Sequence, residues 1–92
     1  MSFLDSNKFH RSPEVLSCTV GDILVLLDIG QGLYFSLDLV AAAIWSVLEK
    51  EASFPELVSA VSSEFDSEPD IIKPDIALFL GQMIDNKLLL VN

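Results

Sequence analysis

The apolar residues of this chain fall in short runs whose spacing changes from that of strands to that of helices. Val15-Leu16-Ser17-Cys18-Thr19-Val20 is rich in β-branched residues and predicts a first strand after Pro13. Gly21-Asp22 marks a turn into Ile23–Leu27, an apolar run too short for a helix and branched enough for a second strand. Gly30-Gln31-Gly32 supplies the positive-φ positions that a short hairpin connection needs, and Leu33-Tyr34-Phe35-Ser36-Leu37 returns as the third strand. Three strands in succession make the smallest stable antiparallel sheet.

The period then lengthens. Asp38 stands at an N-cap position, and a first helix is predicted from about Leu39 to Lys50, with Val40, Ile44, Val47 and Leu48 facing the sheet. Ser53 and Glu56 have the spacing of a capping box and open a second helix, whose buried stripe is Leu57, Val58, Val61 and Phe65. Pro69 and Pro74 both suit a first helical turn. The third helix is expected to start with a turn over Pro69 to Ile72 and to run through about Asn86, with Ile72, Ile76, Phe79, Leu80 and Met83 inside. Leu88-Leu89-Leu90-Val91 closes the chain as an extended tail that could pair with or cap the sheet. Residues 1–12 carry no period and read as a flexible lead-in; residues 13–92 read as a single domain. The expected class is α+β, a three-stranded antiparallel sheet followed by three helices.

Composition narrows the function. An apolar fraction of 51% excludes a disordered chain despite a net charge of −9. Fourteen acidic residues against five basic ones (Lys8, Arg11, Lys50, Lys73, Lys87) repel a phosphate backbone. That excludes nucleic acid as a partner, and with it a DNA-binding regulator, which would need a basic recognition helix. A basic peptide or protein is favoured instead. The longest uninterrupted apolar run, Leu39 to Trp45, is far short of a membrane span, and the N-terminus lacks the basic start and apolar core of a signal peptide. A single cysteine excludes an internal disulfide and fits a reducing, cytoplasmic setting.

Candidate chemistry is sparse. Trp45 is expected in the core, and Cys18 reads as a small buried hydrophobe. His10 stands alone, without a second ligand or a nucleophile at a useful spacing. No phosphate-binding loop, dinucleotide fingerprint or metalloprotease motif is present. The expectation is a protein that is not an enzyme and that uses no metal and no cofactor. Two features say more. The edge strand Leu33–Leu37 carries neither the charge nor the proline that normally blunts an exposed edge. Gly81, inside a helix, costs roughly 1 kcal/mol relative to alanine. It shares a face with Leu78, Gln82 and Asp85, which reads either as an ordinary boundary face or as one wall of a peptide groove.

Taken in order, several short elements resemble the PqqD-like family. They are Val25-Leu26-Leu27-Asp28, a turn glycine, Gly32-Leu33-Tyr34, Leu37-Asp38, Ala43-Ile44-Trp45 and Leu48. Leu57-Val58, Phe65-Asp66, Asp75-Ile76, Phe79-Leu80, Met83 and Leu88-Leu89 continue the pattern through the C-terminal half. The resemblance covers about residues 13 to 91. Asp38 stands where the family usually has asparagine, and Lys87 where it usually has glycine. The resemblance implies a recognition element for ribosomally made, post-translationally modified peptides, with a winged helix-turn-helix type of fold. Such an element binds the leader segment of a precursor peptide as an added strand between the third strand and the third helix. The contact residues it implies here are the backbone of Leu33, Tyr34, Phe35, Ser36 and Leu37, together with Leu78, Gln82 and Asp85, with Gly81 admitting the peptide. The implied partners are a precursor leader peptide and a leader peptidase or other modifying enzyme. The Gly-x-Tyr-x-x-Leu element before the first helix looks more like the free-standing leader-binding protein of lasso-peptide pathways than like PqqD itself, a peptide chaperone for a radical-SAM enzyme. A non-enzymatic adaptor for a folded protein is a third reading. The uncovered edge could also pair weakly with a second copy of the chain.

Overall fold

The first helix begins where the sequence places it, because the Asp38 carboxylate accepts the backbone N–H of Ala41 at 2.8 Å and so satisfies one of the orphan donors of the first turn. The computed structural model describes residues 7–92. In chain order its elements are β1 (Lys8–Arg11), β2 (Val15–Val20), β3 (Ile23–Asp28), β4 (Leu33–Leu37), α1 (Leu39–Val47), β5 (Ala52–Ser53), α2 (Phe54–Phe65), α3 (Pro69–Asp85) and β6 (Leu89–Val91). Strands β2, β3 and β4 form the expected antiparallel sheet in that order. Val15 to Val20 lie opposite Asp28 to Ile23, and Leu24 to Asp28 lie opposite Leu37 to Leu33. In the hairpin turn Gly32 takes the positive φ, at +70°, whereas Gly30 does not.

A second small sheet, β5-β1-β6, was not expected. It corrects the lead-in from residue 8 onward; residues 1–6 lie outside the described part. Phe9 is fully buried, opposite Ala52 on one side and Val91 on the other. The strand KFHR has one apolar residue and hence no readable period, and its partners lie far along the chain. The C-terminal run therefore pairs with β1, and not with the hairpin sheet as expected.

All three helices pack into one core with the inner face of the larger sheet. Leu26, Ile44, Trp45, Leu48, Leu57, Val61, Ile76, Leu80 and Leu88 are each at most 1% exposed. Trp45 joins the two sheets. Its indole N–H donates to Ser17 Oγ on β2 at 2.7 Å, and the Arg11 guanidinium of β1 lies 4.7 Å from its ring centre. Arg11 also donates to the Trp45 carbonyl at 2.5 Å. Burial lowers the pKa of that guanidinium, with Glu49 opposing the shift. Helix α2 opens on the expected capping box: Ser53 Oγ accepts from Glu56 N–H, and Glu56 Oε1 accepts from Ser53 N–H at 2.8 Å. That backbone hydrogen bond, with Lys8 beside it, holds the Glu56 carboxyl below its ordinary range. Helix α3 is one continuous helix from Pro69 through Pro74, and its buried residues are the five expected ones. Among the described residues no helix is long and apolar enough to cross a membrane.

The end of α3 carries backbone strain. Lys87 sits in the left-handed region at φ +64°, with its N–H on Ile84 O and that of Leu88 on Met83 O, a Schellman arrangement that favours glycine. A side chain in that region costs about 1–2 kcal/mol, partly offset by the greater entropy that glycine loses on folding. Lys87→Gly is therefore expected to stabilise the chain by about 0.5–1 kcal/mol, raising Tm by roughly 2–8 °C in a thermal melt. Asp66, at φ +51° after α2, should gain less, because aspartate tolerates this region better.

Candidate functional site

Among the described residues strand β4 is the last strand of its sheet, with one side of its backbone hydrogen-bonded to β3 and no strand on the other. Helix α3 runs alongside that open side, and an open groove of about 600 Å³ lies between them. Phe35, Ser36 and Leu37 form the strand wall, Leu78 and Gln82 the helix wall. These are five of the nine residues expected at the site. Leu33 and Tyr34 belong to the part of β4 next to the hairpin turn and do not line the groove; nor do Gly81 and Asp85.

The helix wall is turned from the expected face toward the core. Its residues are Asp75, Leu78, Phe79, Gln82, Met83 and Asn86, a stripe at i, i+3, i+4, i+7, i+8 and i+11. Gly81 lies beside that stripe, where an added Cβ would meet no atom within 4 Å. No neighbouring element requires a glycine there. The N-terminal half of α1 also reaches the groove, through Val40, Ala41 and Ile44, and Asp38 stands at its mouth. The sequence reading assigned Val40 and Ile44 to sheet packing alone. The signal available was that a helix leaving directly from the edge strand must begin beside that strand's open side.

One end of the groove is tied shut. Asp28, only 4% exposed, accepts from the Gln31 backbone N–H at 3.3 Å and from Gln31 Nε2 at 2.5 Å. Gln31 Nε2 also donates to the Asn86 carbonyl at 3.1 Å, and Asn86 Nδ2 donates to the Gln82 carbonyl at 2.8 Å. The hairpin turn is thereby linked to the C-terminal end of α3, which sets the distance between strand wall and helix wall. Toward the other end the lining holds two carboxylates, Asp38 and Asp75, and, among the described residues, no lysine, arginine or histidine.

The groove offers a strand's unpaired backbone groups, an apolar floor and a negative rim. Leu78 is 63% exposed on its wall. Groups for bond-breaking chemistry are not gathered here, and among the described residues no group of three or more His, Cys, Asp or Glu is placed to hold a metal. His10 lies elsewhere, in β1, with Nδ1 3.9 Å from Glu51. Cys18 is exposed and not buried as expected: β2 is an edge strand exposed from Leu16 to Val20, and Cys18 takes the face opposite Ser17, which meets Trp45.

A family model described as coenzyme PQQ synthesis protein D (PqqD) matches residues 24–89. No curated protein matches the chain. Two solved structures are similar. One, TbiB1 in complex with the TbiA(beta) leader peptide, superposes with a TM-score of 0.78 at 34% identity, over 87% of this chain and 93% of that one. The other, lasso peptide synthetase B1 complexed with the leader peptide, gives a TM-score of 0.77 at 28% identity, over 89% of this chain and 96% of that one.

Proposed function

We propose, from the premise that this chain belongs to the PqqD family, whose members are non-catalytic peptide-binding domains, that it binds the leader segment of a ribosomally made precursor peptide and presents it to a processing enzyme. The observation that carries the reading is the uncapped β4 edge facing α3 across an apolar groove. A leader laid along β4 extends the sheet by one strand. Its backbone takes the free hydrogen-bonding groups, and alternate side chains point down among Phe35, Ile44, Leu78 and Phe79. Outside this contact a flexible leader is unfolded, so the gain from two or three apolar anchors, about 1.5–3 kcal/mol each, is reduced by its ordering cost. The balance corresponds to roughly micromolar to submicromolar affinity. Both similar structures are complexes with a leader peptide, and one is named as a lasso peptide synthetase component. That likeness favours a lasso-peptide leader peptidase as the enzyme served.

The test is a fluorescence-anisotropy titration of the full chain with synthetic leaders from the precursor genes next to its own. Saturable binding at micromolar concentration or tighter is expected. It should weaken for a basic leader as salt is raised, because the groove lining carries two carboxylates, Asp38 and Asp75. Absence of binding to every leader, with binding to a folded neighbouring protein, would replace this reading with that of an adaptor.

A further inference from the structure

The larger sheet has two faces, and the core uses one. Ser17 points inward to Trp45, so Leu16, Cys18 and Val20 of β2 point to the opposite side. The register brings Ile23 and Leu27 of β3 and Tyr34 of β4 to the same side. Leu16, Val20, Ile23, Leu27 and Tyr34 are between 39% and 73% exposed. Among the described residues of the sheet no charged side chain projects from this face, and an apolar patch of this kind marks a contact surface. It is distinct from the leader groove, which lies at the edge of the sheet and toward the other face.

Charge decides what fits it. From Ser12 to Leu48 the chain has no lysine, arginine or histidine. At the ends of the sheet stand Glu14 and Asp22, both acidic and exposed, while Asp28 is buried and Asp38 belongs to the mouth of the groove. A second copy is a poor occupant. Face-to-face stacking of two copies would bring these acidic rims together, between chains that each carry −9. We propose that the outer sheet face docks a folded protein whose contact patch is apolar at its centre and basic at its rim. Resting on the leader-binding reading, that protein is the processing enzyme, and the groove and the outer face are separate surfaces for peptide and enzyme.

The experiment uses the full chain and the purified processing enzyme encoded beside it. Enzyme affinity is measured by isothermal titration for the wild type, for the double variant Leu16→Lys/Val20→Lys, and for Glu14→Lys/Asp22→Lys. Leader affinity is measured on each by anisotropy. Cys18, an exposed free thiol on the face itself, reports directly through its reaction rate with Ellman's reagent, with and without enzyme. Enzyme affinity is expected to fall at least tenfold in the first variant and severalfold in the second, with leader affinity kept within twofold. The enzyme should slow Cys18 modification at least threefold, and the leader alone should not. Unchanged enzyme affinity in both variants with an unprotected Cys18 would overturn the proposal. So would sedimentation showing a wild-type dimer that Val20→Lys disperses, which would assign the face to a second copy. Leaders that fail to bind a chain that still docks the enzyme through this face would sink the leader reading instead, so the two failures are told apart.

Discussion

Replacing Trp45 with alanine is expected to remove about 3–5 kcal/mol of stability, the usual cost of emptying a large buried aromatic site. Trp45 is 1% exposed and is held from three directions. Its indole N–H binds Ser17 on β2, its ring lies beside Arg11 of β1, and its own backbone belongs to α1. The substitution therefore opens a cavity at the junction of both sheets, and leaves the Arg11 guanidinium without its ring contact. A small domain of this size has about 5–15 kcal/mol in all, so the variant should be largely folded only at low temperature. Chemical denaturation checks it: the midpoint should fall steeply with the slope nearly unchanged, and Tm should drop by more than about 10 °C. Ser17→Ala separates the parts. It keeps the volume of the ring and strands only the indole donor, for a smaller loss of about 1–3 kcal/mol. If Trp45→Ala melted within a few degrees of wild type, Trp45 would not be the joint between the sheets.

Trp45 also shows what kind of information the sequence holds. Its burial was legible because it sits in an uninterrupted apolar helix beside Ile44, and the stripe of α3 was legible because Ile72, Ile76, Phe79, Leu80 and Met83 keep one helical period. The Asp38 cap and the Ser53–Glu56 box were legible because both act within three residues. What escaped was set by partners distant in the chain. Phe9 is the only apolar residue of β1, and its burial depends on Ala52 and Val91 meeting there. The groove was half legible. The open edge follows from strand order and an absence of charge, and Leu78 and Gln82 follow from helical spacing. The turn of α3 that adds Asp75 and Asn86 to the wall depends on how the helix is rotated in the core, and on the Gln31–Asn86 link that holds its end. Periodicity alone does not determine a rotation of one residue. Cys18 erred for a related reason: strand composition marks it as apolar, but only the position of Ser17 under Trp45 says which side it takes.

Leu78→Glu should abolish most leader binding while leaving the free chain intact. Leu78 is 63% exposed, so its replacement removes little buried area, and the folded state should change by no more than about 0.5 kcal/mol. In the proposed binding mode the same side chain becomes an anchor on the helix wall opposite Phe35 and Leu37. Losing an anchor worth about 1.5–3 kcal/mol weakens binding by roughly 10- to 150-fold. The new carboxylate lies one turn from Asp75 and, among the described residues, has no basic residue in the groove lining to offset it, so desolvating it beneath a bound strand adds to the loss. Phe35 would be a less clean choice, because it is half-buried against the core and its removal would mix stability with affinity. Two controls make the result specific. Leu78→Met keeps volume and apolarity and should leave affinity within a few-fold. Leu39→Glu places the same charge on a still more exposed leucine outside the groove, 77% exposed, and should leave leader affinity nearly unchanged. Anisotropy titrations of the three variants read all of this on one scale. A leader that bound Leu78→Glu as tightly as wild type would remove the α3 wall from the site and leave the β4 edge as its only support.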